Sequence, residues 1–229
     1  MIKEAGKLPF PHRISAVLFD MDGVVLDSMR YHEAAWREVL LQYGVSVVPE
    51  DIYRREGMSG LPSIRDIFIE KKLPVPDDQS LNELIEKKHT LFNRNSIGVF
   101  EGIADSLELL KNNKIALGLV TGSHFDTVAA FLPSSVQQFF EVIISADDVH
   151  KGKPDPEPYI TALNKIQVLP ENALIVENAP MGILSAFAAG IFCIAIETTL
   201  SAKYLQMAGM IVEDHDALFR VFENITESG

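Results

Sequence analysis

Two aspartates, Asp20 and Asp22, stand one residue apart directly after the apolar run AVLF, and Gly23 follows them. Two carboxylates this close repel each other, and they do not both stay ionised without a nearby cation. Carboxylate oxygens are hard ligands, and Mg²⁺ binds few of them because it keeps several of its waters. A calcium-binding helix–loop–helix is excluded, since Val24 stands where its loop needs a third acid or amide. The pattern therefore predicts a metal-assisted reaction at the end of a buried strand.

Three further polar segments stand where predicted strands or loops end: Thr121–Ser123, Lys153 and Glu177–Asn178. The Thr-Gly-Ser segment can bind an anion through a hydroxyl and free backbone N–H groups, or it can cap a helix. Lys153 can neutralise that anion, or it can be an ordinary solvated lysine in a Pro-rich loop. Asn178 can cap a helix that has Pro180 in its first turn, it can join Glu177 as a second pair of metal ligands, or it can do both.

The elements that must position these residues are short apolar runs that alternate with helical stretches. Runs with strand character occur at 16–19, 115–120, 141–145, 173–176, 191–196 and 209–212. Helical periodicity occurs at 102–113, 123–132, 156–166 and 179–189. Near-continuously apolar strands that alternate with helices indicate a parallel sheet covered on both faces, a doubly wound α/β fold. Ligands bind at the carboxyl ends of the strands in such sheets, so we expect the polar segments to converge there.

The first two strands are separated by a long helical region. Helical stretches are predicted at 29–44, 49–57, 62–72 and 80–94. We therefore expect two domains. Residues 1–29 and 98–229 form the sheet-containing core domain, and residues 30–97 form an inserted helical domain.

The composition restricts the partners and the compartment. The chain has 229 residues and a formal charge of −12, so its surface repels nucleic acids and anionic membranes. The single cysteine, Cys193, cannot form an intramolecular disulfide. The first residues lack the apolar stretch of a signal peptide, and no run is long enough to span a membrane. We expect a cytoplasmic protein that binds a small molecule and neither nucleic acid nor membrane.

The segments FDMDGVVLDS, LVTGS, KGKPDPEPY and VENAPMGI…AAG resemble, in this order, the four motifs of the haloacid dehalogenase superfamily. The resemblance covers about residues 16–196, and the helical insertion resembles the helical cap of the phosphatase and β-phosphoglucomutase-like branch. It implies a Rossmann-like core and a Mg²⁺-dependent phosphatase that acts on a small phosphorylated metabolite. An inorganic pyrophosphatase, a β-phosphoglucomutase and a catalytically weak phosphate- or metal-binding protein are the alternatives. A cap that closes over one site within one chain makes a monomer the expected state.

The resemblance also implies roles for the catalytic residues. Asp20 would attack phosphorus to form an aspartyl-phosphate, and Asp22 would act as general acid and base. Thr121 and the Gly122 N–H, with Ser123 in the same turn, would hold the phosphoryl oxygens. Lys153 would offset the negative charge of Asp20 and of the phosphate. The dehalogenases of the superfamily lack the second aspartate, so Asp22 favours phosphate chemistry.

The metal site departs from the family pattern. Mg²⁺ would lie between Asp20, the Asp22 carbonyl, Glu177 and Asn178. The fourth motif usually ends in two acids, whereas this chain has Glu177 followed by Asn178. The amide still offers a carbonyl oxygen, but the site loses one negative charge. We expect weaker Mg²⁺ binding or a more anionic substrate.

The resemblance also implies that three residues of the insertion meet the leaving group when the cap closes: His32, Glu56 and Lys88. The alternative for each is a side chain that faces solvent. Glu56 adds negative charge beside a phosphorylated substrate. It would fit better with a metal ion or a proton between it and the substrate, as with pyrophosphate.

A mutase needs a cap residue that grips the phosphate that is not transferred. β-Phosphoglucomutase has an arginine for this purpose, and the matching loop of this chain, EGMSGLPS, has Gly60. Mutase activity is therefore less expected. Arg54, Arg55 and Lys88 are the candidates to replace that arginine, with solvated helix charges as the alternative interpretation.

Overall fold

The computed structural model describes residues 8–58 and 60–227. One sheet of six strands has the order β3-β2-β1-β4-β5-β6, and every neighbouring pair is parallel. The predicted doubly wound α/β fold is confirmed. The strands are β1 (Ala16–Phe19), β2 (Ala116–Val120), β3 (Val142–Ile144), β4 (Ala173–Glu177), β5 (Phe192–Ile196) and β6 (Met210–Val212).

Four helices between β1 and β2 pack on one another and are called the helical unit here. They are α1 (Met29–Leu41), α2 (Pro49–Tyr53), α3 (Gly60–Glu70) and α4 (Asp78–Phe92). Their buried faces share a hydrophobic cluster of their own, which includes Trp36, Ile64 and Leu84. Helix α2 ends at Tyr53, short of the predicted residue 57, because the chain turns at Gly57 with a φ of 84°.

The remaining helices cover both faces of the sheet. Alternation along β1 sends Val17 and Phe19 to one face and Ala16 and Leu18 to the other. The first face packs against α5 (Ile103–Asn112), α6 (Phe125–Phe131), α7 (Ser134–Gln137) and α11 (His215–Glu227). The second packs against α8 (Glu157–Ile166), α9 (Pro180–Ala188) and α10 (Ala202–Leu205). Of these, α7, α10 and α11 were not among the predicted helices. No described helix is both long and apolar enough to cross a membrane.

The strand order reverses at β1, because β2 and β3 lie on one side of it and β4 to β6 lie on the other. In a sheet of this kind the crevice for a ligand forms at the carboxyl end of the strand where the order reverses. Asp20 is the first residue after β1, so the topology places the aspartate pair in that crevice.

The chain enters and leaves the helical unit at one place. Leu26 forms an isolated bridge with Val99, and the Asp27 amide donates to the Gly98 carbonyl at 2.9 Å. Between β1 and this point the chain makes a tight turn, in which Gly23 has a φ of 85°. A side chain at Gly23 would lie 1.9 Å from the Asn178 Nδ2, so glycine is required both for the turn and for the contact.

Candidate active site

Asp20 belongs to a buried group of three charges. Lys153 Nζ lies 2.6 Å from Asp20 Oδ1 and 2.7 Å from Glu177 Oε1, and it also donates to the Val120 carbonyl at 3.1 Å. The Lys153 side chain is only 1% exposed. Burial opposes its charge, but the carboxylates of Asp20 and Glu177 raise the pKa of Lys153 above its ordinary value. Lys153 is therefore a charged partner of Asp20, and the solvated interpretation is wrong.

Burial raises the pKa of Asp20 well above its ordinary value. Lys153 opposes this effect, whereas the negative charges of Glu177 and Asp22 add to it. The single positive charge of Lys153 thus faces the negative charges of three carboxylates, those of Asp20, Asp22 and Glu177. Without a further positive charge, the ionised form of Asp20 is costly at this position.

Asp22 has different surroundings. Its Oδ1 accepts a hydrogen bond from Ser28 Oγ at 2.7 Å and lies 3.1 Å from His32 Nε2. Its Oδ2 accepts from Ser123 Oγ at 3.0 Å and from Thr121 Oγ1 at 3.4 Å. Burial opposes ionisation, but His32 and the hydroxyl groups lower the pKa of Asp22 below its ordinary value. Two aspartates one residue apart therefore have opposite environments, which is how a site assigns different roles to paired carboxylates.

Glu177 has protein donors on both of its carboxylate oxygens. Oε1 accepts from Lys153 and from the Tyr159 hydroxyl, and Oε2 accepts from the amides of Asn178 and Ala179 at 2.9 and 3.2 Å. Gly182 makes room for this carboxylate, since a Cβ there would lie 1.6 Å from Oε1. Glu177 balances the charge of Lys153 and satisfies backbone donors at the start of α9.

Asn178 has one satisfied and one unsatisfied side-chain atom. Its Nδ2 donates to Thr199 Oγ1 at 3.0 Å, whereas its buried Oδ1 has no hydrogen-bond partner among residues 8–58 and 60–227. Helix α9 has Pro180 in its first turn, as predicted, but its N-cap residue is Ala179, so the capping role of Asn178 is wrong. A buried amide oxygen without a donor is suited to bind a cation.

The Thr121–Ser123 segment lies in a loop before α6, whose N-cap residue is His124. The Ser123 amide donates to Thr121 Oγ1 at 3.0 Å, which fixes the turn. Gly122 touches the helical unit, since a side chain there would lie 2.9 Å from the Gly57 carbonyl oxygen. A side chain at Gly57 would in turn lie 2.8 Å from Lys153 Cδ. Glycines thus allow the two halves of the site to meet.

The helical unit contributes a buried chain of polar contacts that ends at Asp22. Lys88 Nζ lies 2.8 Å from His32 Nδ1, and the opposite ring nitrogen of His32 faces Asp22. Phe92 stacks on His32 at 4.0 Å, and Lys88 Nζ lies 5.5 and 5.0 Å from the rings of Trp36 and Phe92. Burial lowers the pKa of Lys88, and the charges of Glu56 and Asp22 oppose the shift. Neither His32 nor Lys88 is a solvent-facing side chain.

Glu56 faces the same place. One of its carboxylate oxygens lies within 4.8 Å of ligand atoms of Asp22 and His32, a set that could hold a metal ion. The predicted substrate-binding residues line one cavity of about 90 Å³ between the sheet and the helical unit, called the cleft here: His32, Glu56, Lys88, Gly122 and Ser123. Asp22 adjoins this cleft through its contacts with His32 and Ser123. Thr121 and Lys153 line a neighbouring pocket, which shares Gly122 with the cleft.

Arg54 and Arg55 are paired with acids of α3, although Arg55 also lines the cleft. Arg55 donates to Asp66 Oδ2 at 2.8 Å and also pairs closely with Glu70. Arg54 pairs with Glu70 at 3.0 Å. The hypothesis that either arginine replaces the gripping arginine of a mutase is not supported, because their charges are already paired.

Sequence reasoning missed several residues that support the site. Ser28 donates a hydrogen bond to Asp22, and Tyr159 donates one to Glu177. Thr199 accepts a hydrogen bond from Asn178. Ser28 and Tyr159 lie inside the motifs quoted above, so their positions were a usable signal. His89 and His124 also line the cavity, with ring centroids 5.9 Å apart, and nothing in their sequence context indicated this.

Comparison with known proteins agrees with this geometry. Residues 17–196 match the family of haloacid dehalogenase-like hydrolases, and the chain belongs to that family. It is 32% identical to validoxylamine A 7'-phosphate phosphatase of Streptomyces hygroscopicus subsp. limoneus, over 86% of this chain and 92% of the relative. It is 33% identical to pyrophosphatase PpaX of Bacillus pumilus, over 77% of this chain and 80% of the relative. A solved structure of a protein of the β-phosphoglucomutase type from Bacteroides vulgatus superimposes with a TM-score of 0.84 at 30% identity. The match covers 94% of this chain and 90% of that protein.

Proposed function

We propose that this hydrolase is a Mg²⁺-dependent phosphatase that removes phosphate from a small phosphorylated metabolite through an aspartyl-phosphate at Asp20. Membership of the family supports the class of reaction. The observation that carries the proposal is the contrast between the neighbouring carboxylates. Asp20 is paired with Lys153, and Asp22 is held by hydroxyl groups and by His32.

The contrast suits two consecutive steps. A carboxylate oxygen of Asp20 attacks phosphorus and forms the O–P bond, while the bond from phosphorus to the leaving oxygen breaks and Asp22 gives that oxygen a proton. Asp22 then takes a proton from water, which attacks phosphorus and releases Asp20. Lys153 stabilises the negative charge near Asp20, and the turn at Thr121 and Gly122 offers donors to the phosphoryl oxygens.

The pKa shifts of the protein alone run opposite to these roles, since that of Asp20 is raised and that of Asp22 is lowered. Substrate would bring the negative phosphate beside Asp22, which favours the protonated form that the first step needs. Bound Mg²⁺ would supply positive charge that keeps Asp20 ionised and stabilises the phosphoryl oxygens.

The residues present fit a hard divalent cation. Asn178 Oδ1 is buried without a hydrogen-bond donor in the part of the chain described, and the carboxylate of Asp20 lies at the same sheet edge. Asp20, the Asp22 carbonyl and Asn178 are the proposed direct ligands. Glu177 completes the negative charge around the metal, although both of its oxygens also serve protein donors.

We propose that residues 30–97 act as a cap that closes over the cleft, with the core formed by 1–29 and 98–229. The adjacent connections at Leu26–Asp27 and Gly98–Val99 support this, because one point of attachment permits a hinge motion. All site residues come from one chain, and Cys193 is a free, buried thiol. Both features suit a cytoplasmic monomer.

The test is phosphate release from sugar phosphates, phosphoglycolate, nucleotides and pyrophosphate, with and without Mg²⁺. The Asp20→Asn protein is run beside it, and Asp105→Asn, an exposed acid on α5, serves as the control. We expect release that requires both Mg²⁺ and Asp20 and that Asp105→Asn does not change. Absence of release from every compound by the folded protein would contradict the proposal and favour a binding protein.

A further inference from the structure

Glu56 is an acid on the wall of the cleft that has neither a hydrogen-bond donor nor an ion-pair partner among the described residues. It is half-buried, and one carboxylate oxygen lies within 4.8 Å of Asp22 and His32 ligand atoms. No residue in 8–58 or 60–227 donates a hydrogen bond to Glu56 or forms an ion pair with it. Since Asp22 is the proposed donor to the leaving oxygen, this carboxylate faces the atoms of the leaving group next to that oxygen.

The basic side chains that line the cavity with Glu56 differ in how they are paired. Arg55 is paired with Asp66 and Glu70, and His124 Nδ1 lies 2.7 Å from Asp147 Oδ1. Lys88 is hydrogen-bonded to His32, and its ammonium group lies over the rings of Trp36 and Phe92. Burial, together with Lys88 and the neighbouring histidines, lowers the pKa of His89 to about 4, so this side chain is neutral near pH 7. Of these groups, Lys88 alone is a cation without an acidic ion-pair partner in the described residues, and the negative charge of Glu56 acts on it directly.

The rest of the wall combines apolar side chains with the hydroxyl groups of Ser63, Ser123 and Thr127, and the space is small. The cavity of about 90 Å³ lies far below the roughly 300–1,000 Å³ of pockets for drug-sized ligands. Large hydrophobic side chains line its helical side. They are Trp36, Ile52, Met58, Ile67, Ile85 and Phe92.

We propose that Glu56 selects substrates whose leaving group is uncharged or cationic and presents a hydroxyl or ammonium group near the leaving oxygen. The proposal rests on the phosphatase function and narrows it to monophosphates of small alcohols, polyols and amino alcohols. Bisphosphates, phosphorylated acids and pyrophosphate are disfavoured. Two like charges about 5 Å apart at an effective dielectric constant of about 20 repel strongly enough to lower kcat/KM roughly 100-fold or more.

The test uses three substrates that share a two-carbon skeleton: 2-aminoethyl phosphate, 2-hydroxyethyl phosphate and phosphoglycolate. Their terminal groups are an ammonium, a hydroxyl and a carboxylate. For the unmodified protein we expect kcat/KM to fall in that order, with phosphoglycolate about 100-fold below the ammonium compound. Glu56→Gln should reduce this range below about tenfold, and Glu56→Lys should reverse the order. Glu38→Gln, an exposed acid on α1, should leave the range unchanged.

Hydrolysis of p-nitrophenyl phosphate distinguishes failure of the proposed Glu56 role from failure of the proposed phosphatase function. Mg²⁺- and Asp20-dependent hydrolysis of this ester, with no preference in the two-carbon series, would overturn the role of Glu56 and leave the phosphatase intact. Failure to hydrolyse any ester would remove both. Efficient pyrophosphate hydrolysis that requires Glu56 would also overturn the proposal, because it would place a metal ion between Glu56 and a second phosphate.

Discussion

The sheet edge and the helical side of the cleft, called the helical wall here, differ in how their charged side chains are paired. At the sheet edge, Asp20, Lys153 and Glu177 contact one another directly and are almost fully buried. On the helical side of the cleft, Arg55 and Glu56 both line the cavity; Arg55 is paired with Asp66 and Glu70, whereas Glu56 has no ion-pair partner among the described residues. We infer from this comparison that the buried edge determines the reaction, because its excess of negative charge calls for a bound cation. We infer that the helical side of the cleft selects the substrate.

Removing Lys153 should cause the largest effect. Lys153→Met leaves Asp20 and Glu177 buried without their counter-charge, and breaking such a pair costs about 3–5 kcal/mol of unfolding free energy. Phosphatase activity should disappear as well. Chemical denaturation and phosphate release measure both. Lys151→Met is the matched control, since its side chain is 74% exposed. If the two variants were equally stable, the sheet edge would not depend on this charge balance.

Restoring an acid at the sheet edge should strengthen metal binding. Asn178→Asp puts a charged oxygen where an unsatisfied amide oxygen now lies. Because the charge of the ligands tunes cation affinity, we expect the Kd for Mg²⁺ to fall by about tenfold. Isothermal titration calorimetry measures this without substrate. Asn164→Asp on the surface of α8 controls for net charge. An unchanged Kd would remove Asn178 from the metal site.

On the helical wall, Arg55→Lys should weaken folding and spare selectivity. Lysine cannot reproduce the contacts of the guanidinium with Asp66, Glu70 and the Asp51 carbonyl, so we expect a loss of about 1–2 kcal/mol. The order of kcat/KM in the two-carbon series should stay the same. A specific loss of activity on bisphosphates would instead place Arg55 in substrate binding and blur the difference between the walls.

The smallest effect is expected at His89. Its folded-state pKa of about 4 lies below the unfolded value near 6.5, so the unfolded chain binds more protons between these limits. Stability should therefore decrease as the pH falls from about 6.5 to about 4. His89→Gln should flatten this dependence by about 1 kcal/mol, after allowance for solvent screening. Urea denaturation across this range measures it, with His150→Gln as the exposed control. An unchanged slope would show that His89 is not the acid-sensitive group.

The two walls also differ in how far the sequence predicts them. Strands are buried on both faces and polar residues follow them, so the convergence of Asp20, Thr121 and Glu177 could be read from the pattern. Side-chain directions at the strand ends could not. Backbone amides at the start of α9 donate hydrogen bonds to the Glu177 carboxylate. The orientation of Asn178 depends on its contacts with Gly23 and Thr199.

The helical wall was harder to predict because the backbone there is irregular. Helix α2 was expected to reach residue 57, and a regular helix would have sent Arg55 and Glu56 in other directions. In the turn that ends at Gly57, Arg55 pairs with Asp66 of α3, and Glu56 lies near Asp22 and His32. Helix α11, on the sheet-containing core, was also missed, although its sequence is strongly amphipathic and buries Leu218 and Phe222 on one face.

The most direct test of the central claim is a rapid-mixing experiment with p-nitrophenyl phosphate and Mg²⁺. Its leaving group needs no proton, so Asp22→Asn should still transfer phosphate to Asp20 but should hydrolyse the intermediate slowly. The account predicts a burst of about one p-nitrophenolate per active site in Asp22→Asn and none in Asp20→Asn. A burst in Asp20→Asn, or the same loss of product formation without a burst in both variants, would contradict the assignment of the nucleophile to Asp20 and of the proton transfer to Asp22.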